Sequence, residues 1–318
     1  MSTQSRWLIV AVSDQVNDAE PLATYANGYE FVLFRDAEGI VRTVENRCPH
    51  RRVPLSLGKL IDGAIRCAYH GWTFDGASGT CINIPNLGAD ERLSPNYCVK
   101  TYPCRERGGF VYAWTGEGEP TPESALLFDE ENVIQGKIEC SGAGTVALDI
   151  DSYRAVLIDG PQALLSFAGV RFTDFFLGDA SLVEGRVIVD REAEWGDPLA
   201  PPTIKVTERP LLLRTELLTR DNGAVFRLLD QSEELLARMI LVFNESQRST
   251  TSFCWRYQQA AAFKDAQPRL DRLKYGRTKP AKVNTHLEGS NIASLLVGPS
   301  FDYHNILSEM EPNEAASA

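Results

Sequence analysis

Two short clusters of metal-binding side chains stand sixteen residues apart in the chain, Cys48-Pro49-His50 and Cys67-Ala68-Tyr69-His70. Each offers one thiolate and one imidazole, so together they form a Cys2His2 set on what should be two successive loops. That set suits a tetrahedral structural zinc, and it equally suits an iron–sulfur cluster in which two imidazoles replace two thiolates on one iron. The other five cysteines, Cys81, Cys98, Cys104, Cys140 and Cys254, have no partner at ligand spacing, and free cysteine is commonly buried as a small hydrophobe. Seven is an odd count, which points away from a disulfide framework and towards metal binding for some of them.

The residues around the two pairs decide between the metals. Arg51, Pro54, Leu55 and Gly58 follow the first pair, and Gly71-Trp72-Thr73-Phe74-Asp75 follows the second. With Trp7, Asn46-Arg47-Cys48-Pro49-His50-Arg51, Arg66-Cys67-Ala68-Tyr69-His70-Gly71-Trp72 and Gly79-Thr80-Cys81-Ile82-Asn83-Ile84-Pro85, the stretch resembles a complete Rieske domain. The resemblance implies a 2Fe-2S cluster bound by Cys48, His50, Cys67 and His70, the cysteines on a buried ferric iron and the histidines on an outer iron that exchanges electrons. Pro49 and Gly71 stand beside ligands, where tight turns and backbone amides shape and tune a cluster. Tyr69 either donates to a cluster sulfur or packs as a plain aromatic. Trp72 is expected in the core, covering the site.

Stepping outward from the ligands, Phe31-Val32-Leu33-Phe34, Val41-Arg42-Thr43-Val44 and Phe110-Val111-Tyr112-Ala113-Trp114 read as strands of a small all-β domain punctuated by Gly and Asp. Gly116 to Pro122 is rich in breakers and acid, which suggests a Rieske domain over residues 1–118 and a second domain over 119–318. In that second part 182–189, 211–218 and 236–243 read as strands of an antiparallel sheet, and 148–157 and 259–275 as the helices, with Pro268 limiting the latter. The expected fold class is therefore α+β, an all-β domain followed by a sheet-and-helix domain.

Composition bounds the function classes. A net charge of −11 with scattered Lys and Arg offers no basic stripe for nucleic acid or an anionic membrane. No stretch approaches the ~20 apolar residues needed to cross a bilayer. The apolar run after Arg6 is too brief for a signal-peptide core, so a cytoplasmic protein is expected.

A Rieske domain followed by about two hundred residues of sheet and helix resembles the oxygenase component of Rieske non-haem iron oxygenases, in the vanillate O-demethylase and dicamba-type monooxygenase branch. The resemblance implies a helix-grip second domain whose mononuclear iron is held by two histidines and a carboxylate, with open positions for dioxygen. Asp149 matches the Asp that opens the family's helical motif. The two histidine positions, however, hold Ser152 and Leu157, and Thr145-Val146 stands where Asp-Asn usually precedes the motif. Asp265 resembles the third, carboxylate ligand. Of the four histidines in the chain, His286 and His304 remain after the cluster pair, and neither stands in a paired motif.

The reading that follows is a cluster-bearing subunit without mononuclear iron. It would pass electrons to a complete oxygenase subunit in a trimer-based hetero-oligomer and be reloaded by an NAD(P)H-dependent reductase or ferredoxin. The supported chemistry would be hydroxylation or oxidative demethylation of a small organic substrate. Asp149 would be an electron relay to a neighbour or simply an Asp satisfied within its helix. The alternatives are a self-sufficient monooxygenase with an iron site remodelled from Asp149, Asp151, Asp265 or His286, and an electron carrier or structural subunit.

Overall fold

The computed structural model describes residues 7–87, 93–122, 136–161, 164–167, 170–195, 210–219, 221–247, 250–263 and 282–283. The chain divides into two compact units, Met1–Val133 and Ile134–Ala318. Their junction falls in 123–135, outside the described residues and beyond Gly118, where the sequence suggests a boundary.

The first unit is built from ten short strands: β1 (Trp7–Val12), β2 (Leu22–Ala26), β3 (Tyr29–Arg35), β4 (Val41–Glu45), β5 (Lys59–Ile61), β6 (Ala64–Arg66), β7 (Thr73–Phe74), β8 (Cys81–Asn83), β9 (Cys104–Arg107) and β10 (Phe110–Trp114). They form three antiparallel sheets ordered β1-β10-β9, β2-β3-β4 and β5-β6-β7-β8. Two hydrophobic cores lie among them. One gathers Leu8, Val10, Phe31, Leu33, Tyr102 and Val111; the other gathers Val32, Phe34, Val44, Leu55, Ile65 and Phe74 around Cys48 and Cys67. Alternate residues of β3 thus serve different cores, as the period of two in a strand requires. The β5–β6 turn is Asp62-Gly63, with φ of 50° and 76°. A two-residue turn left-handed at both positions matches the strand twist and fixes the register that delivers Cys67 at the end of β6.

The second unit contains β11 (Gly136–Val146), α1 (Ile150–Asp159), β12 (Leu165–Ser166), β13 (Val170–Phe176), β14 (Ser181–Val183), β15 (Arg186–Trp195), β16 (Leu211–Leu218), β17 (Gly223–Leu229), β18 (Leu235–Gln247), β19 (Thr250–Ala260) and β20 (Lys282–Val283). Its main antiparallel sheet runs β11-β19-β18-β17-β16-β15-β13, with β14 on β15. The inward residues of β16 and β18, Leu211, Leu213, Leu217, Met239, Leu241 and Phe243, share one core with Tyr153, Val156, Leu157 and Ile158 of α1.

Three expectations change. Residues 182–189 are a hairpin rather than one strand, because Glu184-Gly185 adopts φ of 51° and 74° and turns the chain from β14 into β15. Gln259 and Ala260 belong to β19, where Gln259 pairs with Ala237, so the expected helix starts later, with helical residues at Ala262 and Phe263; the rest of the expected segment lies outside the described residues. The described residues are mostly sheet with few helices, so the α+β label fits only loosely.

Candidate metal centre

The two ligand loops are built on one plan. In the first, the Cys48 N–H donates to the Val53 carbonyl at 2.9 Å and the Arg52 N–H donates to the Cys48 carbonyl at 2.8 Å. In the second, the Cys67 N–H donates to the Trp72 carbonyl at 2.8 Å and the Gly71 N–H to the Cys67 carbonyl at 3.1 Å. Each loop therefore closes on its cysteine from positions four and five residues later. The residue four positions on is left-handed in both, Arg52 at φ 59° and Gly71 at φ 72°. Glycine takes that conformation freely, whereas arginine adopts it at a cost that the two closing hydrogen bonds offset. The parallel is legible in the chain only as a pair of Cys residues. No local signal marks Arg52 as the counterpart of Gly71.

Cys48 and Cys67 are 2 % and 3 % exposed and belong to the core under the loops. The two cysteines adjoin, and the Cys48 thiol is pushed up to about 11, by burial first and by the neighbouring Cys67, against the opposing His50 N–H. Such a thiol is protonated at neutral pH and gives up its proton on metal binding. His50 and His70 are exposed, and their Nδ1 atoms face each other at 3.1 Å. The His50 imidazole is held below its usual pKa, by desolvation first and then by the charges of His70 and Arg51.

The site thus presents two buried sulfurs as one pair and two exposed imidazole nitrogens as another. Among the described residues no three His, Cys, Asp or Glu side chains converge as they would on a single metal ion. Two pairs of two are what a binuclear cluster with two protein ligands per iron requires, so the donor set fits a 2Fe-2S group better than a lone tetrahedral zinc.

Aromatic rings frame the imidazoles. Trp72 stacks on His50 with centroids 4.7 Å apart and planes 5° apart, and it also meets Tyr97 at 4.9 Å. Trp72 therefore covers the site as expected but from a half-buried position beside a ligand, and Tyr97 is a neighbour that the motif does not reveal. Tyr69 is 61 % exposed, its ring against His70 at 3.8 Å, so it is no buried packing aromatic. Gly58 passes so close to the second loop that a Cβ there would lie 2.0 Å from the Arg66 carbonyl oxygen. Of the remaining cysteines, Cys81 and Cys254 are buried, Cys104 and Cys140 half-buried, and Cys98 exposed, against the expectation of burial.

In the second unit Asp149 is the N-cap of α1. Its Oδ1 accepts from the Asp151 N–H at 3.1 Å and the Ser152 N–H at 2.9 Å, and its Oδ2 accepts from the Ser152 hydroxyl at 2.8 Å. These bonds, led by the Ser152 N–H, hold its carboxyl below the usual range. Ser152 thus closes the cap, and Leu157 is fully buried in the core between α1 and the sheet. Asp151 is exposed and lies near Arg154. Asp265, His286 and His304 lie outside the described residues.

Comparison with known proteins defines the class of the first unit. The family described as "Rieske [2Fe-2S] domain" matches residues 6–103. This region is a Rieske domain, a fold that implies a 2Fe-2S cluster. Protein TIC 55, chloroplastic, from Arabidopsis thaliana is 39 % identical over 167 residues, 52 % of this chain and 31 % of that protein. The oxygenase component of chloroacetanilide N-alkylformylase from Rhizorhabdus wittichii (strain DC-6 / KACC 16600) is 43 % identical over 157 residues, 49 % of this chain and 43 % of that protein. The chain spans less than half the length of these curated relatives. In structure it is similar to dicamba monooxygenase bound to dicamba, with a TM-score of 0.64 over 85 % of this chain and 84 % of that one at 16 % identity, a likeness of fold. Over the matched residues the chain is accordingly similar to an oxygenase component, and the structural likeness is one of fold. Among the described residues no helix is long and apolar enough to cross a membrane.

Proposed function

We propose that Cys48 and Cys67 hold one iron and His50 and His70 the other iron of a 2Fe-2S cluster, and that the chain is the cluster-bearing subunit of a multicomponent oxygenase. When bound, such a cluster stores and releases one electron at a time. The buried cysteine pair anchors it in the core of the first unit. The exposed imidazole pair leaves an edge through which partners are reached, and Trp72, stacked on His50, fixes the plane of that ring.

In this reading the second unit carries no mononuclear iron. The observation that carries the proposal is the fate of the two positions where the family has histidine. Ser152 spends its hydroxyl on Asp149, and Leu157 is an apolar core residue with no exposure. A neutral hydroxyl is a poor ligand for divalent iron, and an alkyl group is none. Asp149 is read as the helix cap rather than as an electron relay, because both its oxygens already serve the first turn of α1. Electrons would then pass to a complete oxygenase subunit in a hetero-oligomer. That subunit would hydroxylate or oxidatively demethylate a small organic substrate, and an NAD(P)H-dependent reductase or ferredoxin would supply the chain.

Iron and acid-labile sulfide per chain, measured on protein produced alone with iron supplied, test this directly. Two irons with two sulfides are expected. Three irons with two sulfides would overturn the reading in favour of a self-sufficient oxygenase with a remodelled site.

A further inference from the structure

The main sheet of the second unit turns one face to α1, and alternate residues of its strands lie on the other. Val189, Leu213, Phe226, Leu228, Ala237 and Met239 belong to the core shared with α1. Next to them or between them in the chain stand Asp190, Arg214, Arg227 and Arg238. These four form one row across the sheet, Asp190 paired with Arg214, Arg214 with Arg227 and Arg227 with Arg238. Three arginines thus stand side by side on β16, β17 and β18, on the face away from α1. In the chain they are at least eleven positions apart, so the row has no sequence signature.

Like charges directly opposite on neighbouring strands are destabilising, with Cβ atoms only about 5 Å apart, so such a row is stable only with anions beside it. Asp190 takes Arg214 in two hydrogen bonds of 2.8 Å, and Glu216 is divided between Arg186, at 2.8 Å, and Arg227. Glu233 acts on Arg214 without an ion pair between them, and Arg238 donates to the neutral Gln258 side chain. Three guanidiniums, of Arg186, Arg214 and Arg227, therefore share two carboxylates, and a guanidinium has more N–H donors than a carboxylate has acceptor sites. Their side chains are 33 %, 32 % and 20 % exposed, so a solute reaches them. Arg227, at the centre, is held below its usual pKa by burial first and then by the charges of Arg186 and Arg214, which marks the surplus as positive. Beside the arginines runs an apolar row, in which Leu212 pairs with Leu229 and Leu229 with Leu235; Leu212 and Leu235 are half-buried.

We propose that Arg186, Arg214 and Arg227 form a binding site for a soluble phosphate monoester, whose phosphate takes the guanidinium forks and whose organic part lies along Leu212 and Leu235. The inference goes beyond the proposed function and does not depend on the cluster. Arginine forks match phosphate oxygens in pairs, and a phosphate monoester with a second pKa near 6 is largely a dianion at neutral pH. A simple carboxylate brings a single charge, and the row already holds that chemistry in Asp190 and Glu216. The chain as a whole is acidic, with a net charge of −11, but at physiological ionic strength charges act over only about 8 Å, so the local surplus decides what binds.

The test uses the full chain in phosphate-free buffer with phenyl phosphate as the probe, its binding read by calorimetry. One saturable site per chain is expected, competed by sulfate, which is also a dianion, and not by chloride at equal ionic strength. Inorganic phosphate, which lacks the ring, should bind about tenfold more weakly, and equal binding of the two would remove Leu212 and Leu235 from the site. Arg227→Gln should weaken phenyl phosphate at least about tenfold, whereas Glu216→Gln, which releases two guanidiniums from their carboxylate, should tighten it by a similar factor. An ion-pair network with a purely structural role gives no such opposite effects on binding. Arg214→Lys keeps the charge and loses the fork, and as the mildest change it should fold and weaken binding about threefold. Circular dichroism reports the fold of each variant. Absence of saturable binding, equal competition by chloride, or an affinity that Arg227→Gln and Arg214→Lys leave unchanged overturns the proposal. So does binding to vesicles containing phosphatidic acid with none to phenyl phosphate, since the phosphate would then belong to a lipid surface. Each of these failures leaves the iron and sulfide content of the chain, and with it the proposed function, as it stands.

Discussion

The assignment of Asp149 as a helix cap gives a prediction that separates its charge from its hydrogen bonds. Asp149→Ala removes the acceptors for the Asp151 and Ser152 N–H groups and for the Ser152 hydroxyl. Loss of an N-cap costs about 1 kcal/mol, and loss of a negative charge at a helix N-terminus a further ~0.5 kcal/mol at an exposed position. For a unit of this size ~1.5 kcal/mol lowers the melting temperature by about 3–6 °C. Asp149→Asn retains an Oδ1 acceptor for both N–H groups and should lose less than half as much. The carboxyl is held below its usual pKa, so its contribution is fully present above the unfolded value of about 4 and is lost as pH falls through the lower folded value. Thermal unfolding followed by circular dichroism from pH 2 to pH 7 measures both effects. The gap between wild type and Asp149→Ala should narrow at the acid end. If Asn is as damaging as Ala, or the gap is independent of pH, the cap assignment is refuted.

Four other outcomes follow from the geometry. His70→Cys should retain a 2Fe-2S cluster while moving its midpoint potential down by on the order of 200 mV, towards all-cysteine clusters, as read by redox titration; an unchanged potential would remove His70 from the ligand set. Gly58→Ala drives a methyl group into the Arg66 carbonyl and should destabilise the second ligand loop by about 1–3 kcal/mol, seen as a lower cluster content per chain by visible absorption. Leu157→His places a polar ring in a packed core and should cost about 2–5 kcal/mol in unfolding free energy without adding iron, and a gain of a third iron would contradict the proposed role of the second unit. Arg191 is 2 % exposed and donates to the carbonyls of Ile158 and Asp159 at the end of α1 and of Thr173 in β13, so Arg191→Met should cost about 3 kcal/mol in denaturant titration by removing their donor.

Much of the first unit was legible because its chemistry is local. Two cysteines and two histidines at short spacing announce their loops, and β3, β4 and β10 are short runs rich in β-branched and aromatic residues, bounded by turn residues. What escaped was non-local or conformational. The equivalence of Arg52 and Gly71 is a matter of φ, and the stacking of Trp72 between His50 and Tyr97 joins residues from three loops. In the second unit 211–218 is β16 as read, and the helix expected over 148–157 is α1 displaced by two residues, since Asp149 caps it instead of lying within it. The hairpin inside 182–189 was missed because Val183 and Arg186 continue the alternation of their strands across the turn. Glu184-Gly185 was the available signal, a glycine second in a two-residue loop. Arg191, which satisfies the end of α1 from β15, has no signature at all, because its partners are backbone carbonyls some thirty positions away.

The two units differ in how their polar groups are spent. In the first, the buried thiols of Cys48 and Cys67 and the facing imidazoles of His50 and His70 have few protein partners beyond one another, so the fold holds donor atoms in reserve at a defined place. In the second, each corresponding position of the helix is consumed by the fold itself. Asp149 binds the helix N-terminus, Ser152 binds Asp149, and Leu157 fills the core. A site that takes up metal keeps donor atoms grouped and within reach, as the Cys48–Cys67 and His50–His70 pairs are. A site whose groups are already satisfied gains nothing from metal. That contrast, beside the count of histidines, is what supports the proposed function.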